Sequence, residues 1–347
     1  MKSSDVCLST KLDGMRANML TQKDYIALSN CEDLNSFAEY LQNNTYYAFY
    51  LRGVGIGKLH RIDLEMALQK QKIAQAEKMV HFLQGEDKKF VRVMLMQLDI
   101  HVLNRYIRAI AHNLPIQGIG DRAITSKRLS YLDWEKLNQV EDWKGFQNAL
   151  KETPYYREVE TFLDCTPDQV YLIGKGLERF YFDTVKKTMD KMKGKGNEEY
   201  FDLLKRTCDL DNLMWIYRGK KYYNIKKETL LTYIQRNGSK LKMDAIKELV
   251  EIEDVEELMA EARKIPEYAF LFDHIRTLDI YMERRYLRYQ YHGYKKIFRD
   301  AKTGLSKAMA LYKLIDFELE DITSIIEGKR YHLEGKGAQS YLVRSIK

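Results

Sequence analysis

The 347-residue chain contains few of the residues that interrupt helices: 4 prolines and 19 glycines. Soluble proteins usually carry about 5% proline, so this chain has much less than the ordinary share. Because proline breaks a helix from within, its scarcity predicts long uninterrupted helices. A composition that is 45% hydrophobic and 31% charged excludes a disordered chain and is typical of a soluble protein with a core.

Long hydrophobic runs are also missing. No stretch reaches the roughly 18 apolar residues that a membrane-spanning helix needs, and residues 1–20 lack the apolar core of a signal peptide. The four cysteines stand far apart, at Cys7, Cys31, Cys165 and Cys208. They form no CxxC pair and have no histidine at ligand spacing, which favours buried thiols in a reducing compartment. We therefore expect a cytoplasmic protein.

The signatures of common active sites are absent or incomplete. Residues 52–58, RGVGIGK, are similar to a phosphate-binding loop, but Leu59 stands where that motif needs serine or threonine. The histidines show neither HxxxH nor HExxH spacing, and no GxSxG elbow is present. We therefore interpret residues 52–58 as a glycine-rich turn. We expect no catalysis, no cofactor and no bound nucleotide.

One long phrase occurs three times without a gap. Its copies begin at Leu20, Leu129 and Leu241. In each copy an acidic pair precedes apolar residues at i, i+3 and i+7, the pattern of a short amphipathic helix. The acidic pairs, which we predict to cap these helices, are Glu32-Asp33, Glu141-Asp142 and Glu253-Asp254. Pro154 and Pro266 would end the helix in two copies, and Thr45 takes the matching place in the first.

A second segment repeats with nearly the same period on predicted long helices. Its acids are Asp99, Asp209 and Glu318. Three equivalent acids are also the kind of set that holds a metal ion, but Lys205 and Arg206, one helical turn before Asp209, favour an ion pair there. The sequence leaves the partners of Asp99 and Glu318 open.

Two segments with one period predict three tandem helical units, residues 1–117, 118–226 and 227–347. Similar units joined head to tail close around an axis when each is rotated by about 120°. The predicted fold is therefore all-α, with three helical repeats in pseudo-threefold symmetry around a central funnel. Such closure leaves two unlike faces, suited to holding a rod on one side and resting on a ring on the other.

Charge is spread along the chain. The net charge of +7 permits an acidic partner without arguing for nucleic acid. The densest basic run is residues 186–195, KKTMDKMKGK. We interpret it as a solvated helix end and loop, with contact to an acidic partner or lipid head groups as the alternative.

Three phrases are similar to those of a known family: KLDGMRANMLTQKDYIAL (11–28), NLMWIYRGKKYYN (212–224) and EDITSIIEGKRYHLEG (320–335). Together with the tandem repeat, they resemble the C subunit of bacterial and archaeal V/A-type ATPases, whose eukaryotic relative is the d subunit. The resemblance covers residues 10–333 and rests on phrases such as IIEGKRY (325–331) rather than on a catalytic signature. The copies differ at Thr45, which replaces proline, and at Glu327, where the others carry arginine.

This resemblance implies a non-catalytic central-stalk subunit of a rotary ATPase. It would be a socket between the shaft, made of the D and F subunits, and the proteolipid rotor ring, with the membrane stator as a further partner. The complex would drive H⁺ or Na⁺ transport or ATP synthesis, with this chain peripheral on the cytoplasmic face of the membrane. We expect four polar positions near unit ends to face a partner: Arg108, Arg218, Glu327 and Arg330. The alternative is an unrelated all-helical scaffold or nucleic-acid-binding adaptor.

Overall fold

A computed structural model describes residues 3–52, 61–273, 278–330 and 342–344. Throughout these ranges the regular structure is helical, with no strand, which confirms the predicted all-α class. The chain divides into two compact units. The larger unit contains residues 1–82 and 194–347, and the smaller unit contains residues 83–193. The three-unit division and the funnel stay predictions.

The helices follow the chain in order. Before the smaller unit lie α1 (Ser3–Ala17), α2 (Gln22–Asn30), α3 (Leu34–Asn44) and α4 (Arg61–His81). The smaller unit contains α5 (Gly85–Ala111), α6 (Trp134–Asn138), α7 (Trp143–Leu150) and α8 (Val170–Lys191). The rest of the larger unit contains α9 (Glu198–Lys221), α10 (Lys227–Thr232), α11 (Met243–Glu251), α12 (Val255–Arg263), α13 (Leu278–Asp300) and α14 (Gly304–Arg330). Residues 82–84 separate α4 from α5. The glycine-rich segment 53–58 lies outside the described residues.

The acidic pairs cap helices, as the sequence predicts. Asp33, Asp142 and Asp254 are the N-caps of α3, α7 and α12. Each carboxylate accepts a hydrogen bond from the backbone N–H three residues later, at 2.8, 2.7 and 2.8 Å. A side-chain cap of this kind stabilises a helix by about 1 kcal/mol.

The capped helices end close to the prolines, or to Thr45, which aligns with the prolines in the first copy. α7 ends at Leu150 and α12 at Arg263, a few residues before Pro154 and Pro266. α3 ends at Asn44, and the Thr45 hydroxyl then accepts a 3.2 Å hydrogen bond from the backbone N–H of Tyr47. That bond begins a short 3₁₀ turn, Tyr46–Phe49, and short 3₁₀ turns also follow the prolines of the other two copies.

Each phrase packs on one of the long helices that carry the repeated acids. In the smaller unit Phe146 of α7 stacks on Tyr106 of α5 at 5.8 Å. In the larger unit the third phrase packs on α9, where Leu213 and Ile216 share a buried cluster with Leu258. The first phrase packs on the last helix, α14. Its core contains Leu28, Phe37, Leu41, Ile322 and Ile325.

The C-terminal segment 342–344 completes the structure around α14. Leu342 is fully buried, and its carbonyl accepts hydrogen bonds from the guanidinium of Arg284 at 3.2 and 2.7 Å. The backbone N–H of Val343 donates to Asp321 on α14 at 2.5 Å, and Arg344 donates to the carbonyl of Leu20 at 2.7 Å. The two ends of the chain therefore build one helix-and-phrase assembly together.

Candidate functional site

The three repeated acids are buried, and each accepts a hydrogen bond from a tyrosine of the phrase packed on its helix. The pairs are Tyr155 with Asp99 at 2.9 Å, Tyr268 with Asp209 at 2.6 Å and Tyr47 with Glu318 at 2.8 Å. Each acid is at most 4% exposed. A buried hydrogen bond to a charged group contributes about 1.5–3 kcal/mol, so each pair fastens a phrase to its long helix.

The same acids also hold the start of each phrase through backbone N–H groups. Asp209 Oδ2 accepts from the backbone of Ser239, Lys240 and Leu241, at 2.9, 2.7 and 3.2 Å. Glu318 Oε2 accepts from the backbone N–H of Leu20 at 2.7 Å. These contacts give the repeated acids a structural role. Within the described ranges no cluster of three metal-ligating side chains is found.

The ion pair expected between Asp209 and Lys205 or Arg206 was a wrong prediction. Arg206 instead pairs with Asp202 at 2.8 Å. Asp209 faces the core, where three backbone N–H groups and a tyrosine hydroxyl all donate to its Oδ2. Gly238 leaves room for this carboxylate, because a Cβ there would lie 2.8 Å from Asp209 Cγ and closer still to Oδ1.

Burial also changes how the acids of α14 titrate. Removal from water raises the pKa of Glu318 to about 7, against the opposing hydrogen bonds from Tyr47 and Leu20. Burial likewise raises the pKa of Asp321 to about 7. The pKa of Asp99 is raised for the same reason. Both chain ends are thus held by carboxyl groups that take up protons near neutral pH.

The phrases that carry the family resemblance have a structural use inside the larger unit. Lys220 Nζ donates to the carbonyl of Val250 at 2.7 Å, at the C-terminal end of α11. Lys329 Nζ donates to the carbonyls of Ser29, at 3.0 Å, and Cys31, at the C-terminal end of α2. Cations there satisfy carbonyls that have no partner within the helix. These glycine-lysine phrases therefore fasten equivalent parts of the repeat.

The predicted partner-facing residues occupy equivalent places. Arg108, Arg218 and Glu327 lie near the C-terminal ends of α5, α9 and α14. In each case an antiparallel helix begins at the same end: α8 beside α5, α13 beside α9, and α4 beside α14. The side chain of Arg330 lies outside the described part of the molecule.

Two of these positions form ion pairs with the antiparallel helix, in opposite polarity. Arg218 pairs with Glu283 of α13 at 3.2 Å. Glu327 pairs with Arg61 of α4. The departure of Glu327 from the other copies is therefore compensated by a reversed charge across the helix pair. Arg108 is exposed and forms no ion pair within the described ranges.

In the smaller unit, the end of the α5/α8 helix pair that holds Arg108 also exposes apolar side chains. The Cys165 thiol donates to the carbonyl of Ile107 at 3.5 Å, which places the loop before α8 beside Arg108. The apolar residues exposed at this end are Leu114, Leu163, Tyr171 and Leu172. Leu163 is 93% exposed. We call this set, with Arg108, the α5/α8 apolar end.

Exposed apolar residues also lie at the matching ends in the larger unit. Tyr223, just after α9, is 69% exposed, and Tyr222 beside it is 51% exposed. Ile62, next to Arg61 on α4, is 67% exposed. No periodic pattern in the sequence marks these positions as exposed, because single apolar residues at helix ends leave none. Their only signal is a position next to turn residues such as Asn224.

Among the described helices, none combines the length and the apolar character that crossing a membrane requires. The surface groups at the helix ends are charged pairs and isolated apolar residues. They suit contacts with other proteins better than chemistry on a small molecule.

Comparisons with known proteins extend over most of the chain. A family model described as "ATP synthase (C/AC39) subunit" matches residues 8–338. The C subunit of the A-type ATP synthase of Methanosarcina mazei is 21% identical over 255 residues, which cover 72% of this chain and 68% of the relative. The corresponding C subunit of the A-type ATP synthase of Methanosphaera stadtmanae is 20% identical over 320 residues, covering 90% and 80%.

Proposed function

This chain belongs to the ATP synthase (C/AC39) subunit family, and from that premise we propose that it is the socket of a rotary V/A-type ATPase. In this role it joins the shaft, made of the D and F subunits, to the proteolipid rotor ring and performs no catalysis itself. The observation that carries the proposal is the family match over residues 8–338. The assignment to this family made from the sequence is confirmed, and an unrelated scaffold is excluded.

The internal structure supports a mechanical role. A socket that transmits torque needs parts that do not slide against each other. In the larger unit Glu318 holds Tyr47 and the backbone of Leu20, so helix α14 and the first phrase are tied by buried hydrogen bonds. Asp209 ties the third phrase to α9 in the same way. Buried hydrogen-bond networks of this kind favour one rigid arrangement.

The helix ends support contact with partner proteins of the complex. We propose that the α5/α8 apolar end, with Arg108 and Leu163, faces one of them. An exposed apolar centre beside an arginine is typical of protein interfaces. Arg218 with Tyr223, and Glu327 with Ile62, offer similar groups at the matching ends in the larger unit. Arg330 remains part of the proposed surface on the sequence argument alone.

The proposed location is the cytoplasmic face of the membrane, as a peripheral part of the membrane-bound complex. The complex would couple ATP hydrolysis or synthesis to movement of H⁺ or Na⁺. This location agrees with the finding that no described helix could span the membrane.

The proposal is tested by affinity purification of the tagged chain from gently solubilised membranes, followed by mass spectrometry of the associated proteins. The expected result is recovery of the shaft proteins and the proteolipid in one complex. Membrane vesicles from cells lacking the chain should hydrolyse ATP without pumping ions. Ion pumping coupled to hydrolysis in those vesicles would contradict the socket role.

A further inference from the structure

One end of the α5/α8 helix pair is strongly basic. This is the end where α5 begins and α8 finishes, opposite to the apolar end. Six exposed basic residues lie on it or beside it: Lys88, Lys89, Arg128, Lys186, Lys187 and Lys191. We call this set the lysine end. It includes part of the basic run that the sequence analysis interpreted as a solvated helix end.

Contacts within the smaller unit place these residues at one level of the helix pair. The Tyr181 hydroxyl of α8 donates to Met94 Sδ of α5 at 3.9 Å. Since the two helices are antiparallel, residues 186 and 187 lie at the level of 88 and 89. Arg92 of α5 donates to the carbonyl of Leu129 at 3.2 Å, which brings Arg128 to within about one turn of that level.

The six basic residues of the lysine end outnumber the acidic residues beside them, Glu86, Asp87 and Asp190. In the part of the chain that the structure describes, none of the six side chains forms an ion pair. Asp190 is the nearest acid on the last turn of α8, and it pairs with Lys193 at 2.8 Å instead. Within the smaller unit, the large exposed apolar residues all lie at the other end of the helix pair.

We propose that the lysine end binds the head groups of anionic phospholipids. Clusters of four to eight lysines and arginines are the usual sign of such binding, with about 1 kcal/mol contributed by each cation near the surface. Lysine ammonium groups are flexible point charges that accept phosphate in many geometries. A protein partner would call for an apolar centre, and single-stranded nucleic acid would call for stacking aromatics. Among the described residues 83–193, the lysine end has no large exposed apolar or aromatic side chain.

This inference goes beyond the proposed socket role, because it adds a direct contact with lipid. The end of a helix pair is convex, and such an end suits contact with the flat surface of a membrane. The contact would hold the smaller unit beside the membrane without any segment entering the hydrocarbon.

The test uses the full chain and vesicles of phosphatidylcholine with or without phosphatidylglycerol, with binding measured by flotation. The variant is Lys186→Gln/Lys187→Gln/Lys191→Gln. Its matched control is Lys144→Gln/Lys151→Gln/Arg157→Gln, which removes the same charge from exposed positions on and just after α7. The far-ultraviolet circular dichroism of both variants should match that of the wild type, which checks that they are folded.

The wild type and the control should bind the vesicles containing phosphatidylglycerol, with affinity that falls as salt is raised. The triple lysine variant should bind about a hundredfold more weakly. Three results would overturn the proposal: wild-type binding that is equal on pure phosphatidylcholine, an equal loss in variant and control, or no loss in the variant. If the lysine variant kept vesicle binding but failed to copurify with its complex, the surface would be a protein contact instead. Since the vesicle assays use the isolated chain, they are independent of the socket role.

Discussion

Tyr47 and Glu318 are separated by 271 residues in the chain and joined by a 2.8 Å hydrogen bond in the core of the larger unit. Equivalent tyrosine–acid pairs occur at Asp99 and Asp209. The same kind of hydrogen bond thus holds each of the three copies of the phrase on its long helix. The unfolding free energy lost when this hydrogen bond is removed measures how strongly a phrase is held on its long helix.

Tyr47→Phe should destabilise the protein. The substitution removes the hydroxyl donor and leaves a buried oxygen of Glu318 unsatisfied, at a cost of about 1–3 kcal/mol. Thermal unfolding followed by circular dichroism should show a lower midpoint. Tyr223→Phe, at an exposed position, is the control and should unfold like the wild type. An unchanged midpoint for Tyr47→Phe would show that the pair adds nothing.

Gly238→Ala should be more damaging than its small size suggests. The added methyl group would meet the carboxylate of Asp209, which cannot retreat because backbone groups and Tyr268 hold it. We expect a loss of about 1–3 kcal/mol in the free energy of unfolding. Gly14→Ala is the matched control, because an added Cβ there has no neighbour within 4 Å in helix α1. It should be neutral or stabilise the helix by up to about 1 kcal/mol. Similar urea-unfolding midpoints for Gly238→Ala and Gly14→Ala would contradict the close approach of Gly238 to the Asp209 carboxylate.

The stability of the larger unit should depend on pH through Glu318. Because burial raises its pKa from 4.5 to about 7, the folded state binds this proton more tightly than the unfolded state. Stability from this group is complete below about pH 4.5 and is lost as the pH rises through about 7. Glu318→Gln carries no charge, so its unfolding midpoint should fall less than that of the wild type over this interval.

The pKa of Asp321 is also raised, and Asp321 remains in the Glu318→Gln variant. The pH dependence of stability should therefore weaken without vanishing. Glu39→Gln, at an exposed position, should leave the dependence intact. A steeper fall for Glu318→Gln than for the wild type would refute the assignment.

Reversing the charge at residue 327 should be rescued by reversing its partner. Glu327→Arg places two cations side by side with Arg61, and a partly exposed pair of this kind is worth about 0.2–1 kcal/mol. The double variant Glu327→Arg/Arg61→Glu restores the polarity that Arg218 and Glu283 have in their copy. Unfolding midpoints of the two single variants and the double variant form a thermodynamic cycle. A double variant as unstable as the sum of the singles would mean that the side chains do not interact.

Substitutions at the α5/α8 apolar end should affect assembly and not folding. Leu163 and Leu172 are exposed, so Leu163→Ser/Leu172→Ser removes little from the core. We expect an unchanged unfolding midpoint and reduced recovery of partner proteins in affinity purification. Leu177→Ser, which alters a fully buried residue of the same helix, should lower the midpoint. Full recovery of partners with the exposed pair changed would remove this end from the proposed surface.

Local features of this fold follow from the sequence, and contacts between distant segments do not. The capping role of Asp33, Asp142 and Asp254 follows from their position before an apolar series. The period of the acids shows that they are equivalent. It does not show that Glu318 binds a phrase from the other end of the chain, because only tertiary packing brings that phrase to α14.

The tyrosine partners show a related limit. Tyr155 stands one position away from Tyr47 and Tyr268 when the three phrases are aligned without a gap. The Tyr155 hydroxyl nevertheless reaches Asp99 at 2.9 Å. The exposure of Leu163 could not be predicted, since a single apolar residue in a loop does not reveal whether its side chain is buried or exposed.

The packing of α2 and α3 on α14 determines when these helices become buried during biosynthesis. Helices α2 and α3 are translated well before α14, the helix that covers Leu28, Phe37 and Leu41. The smaller unit is one continuous stretch, residues 83–193, and is able to fold while the rest is still being made. The apolar surface of α2 and α3 must therefore stay uncovered on the nascent chain until α14 has been translated, and chaperones that bind such surfaces have that interval in which to act.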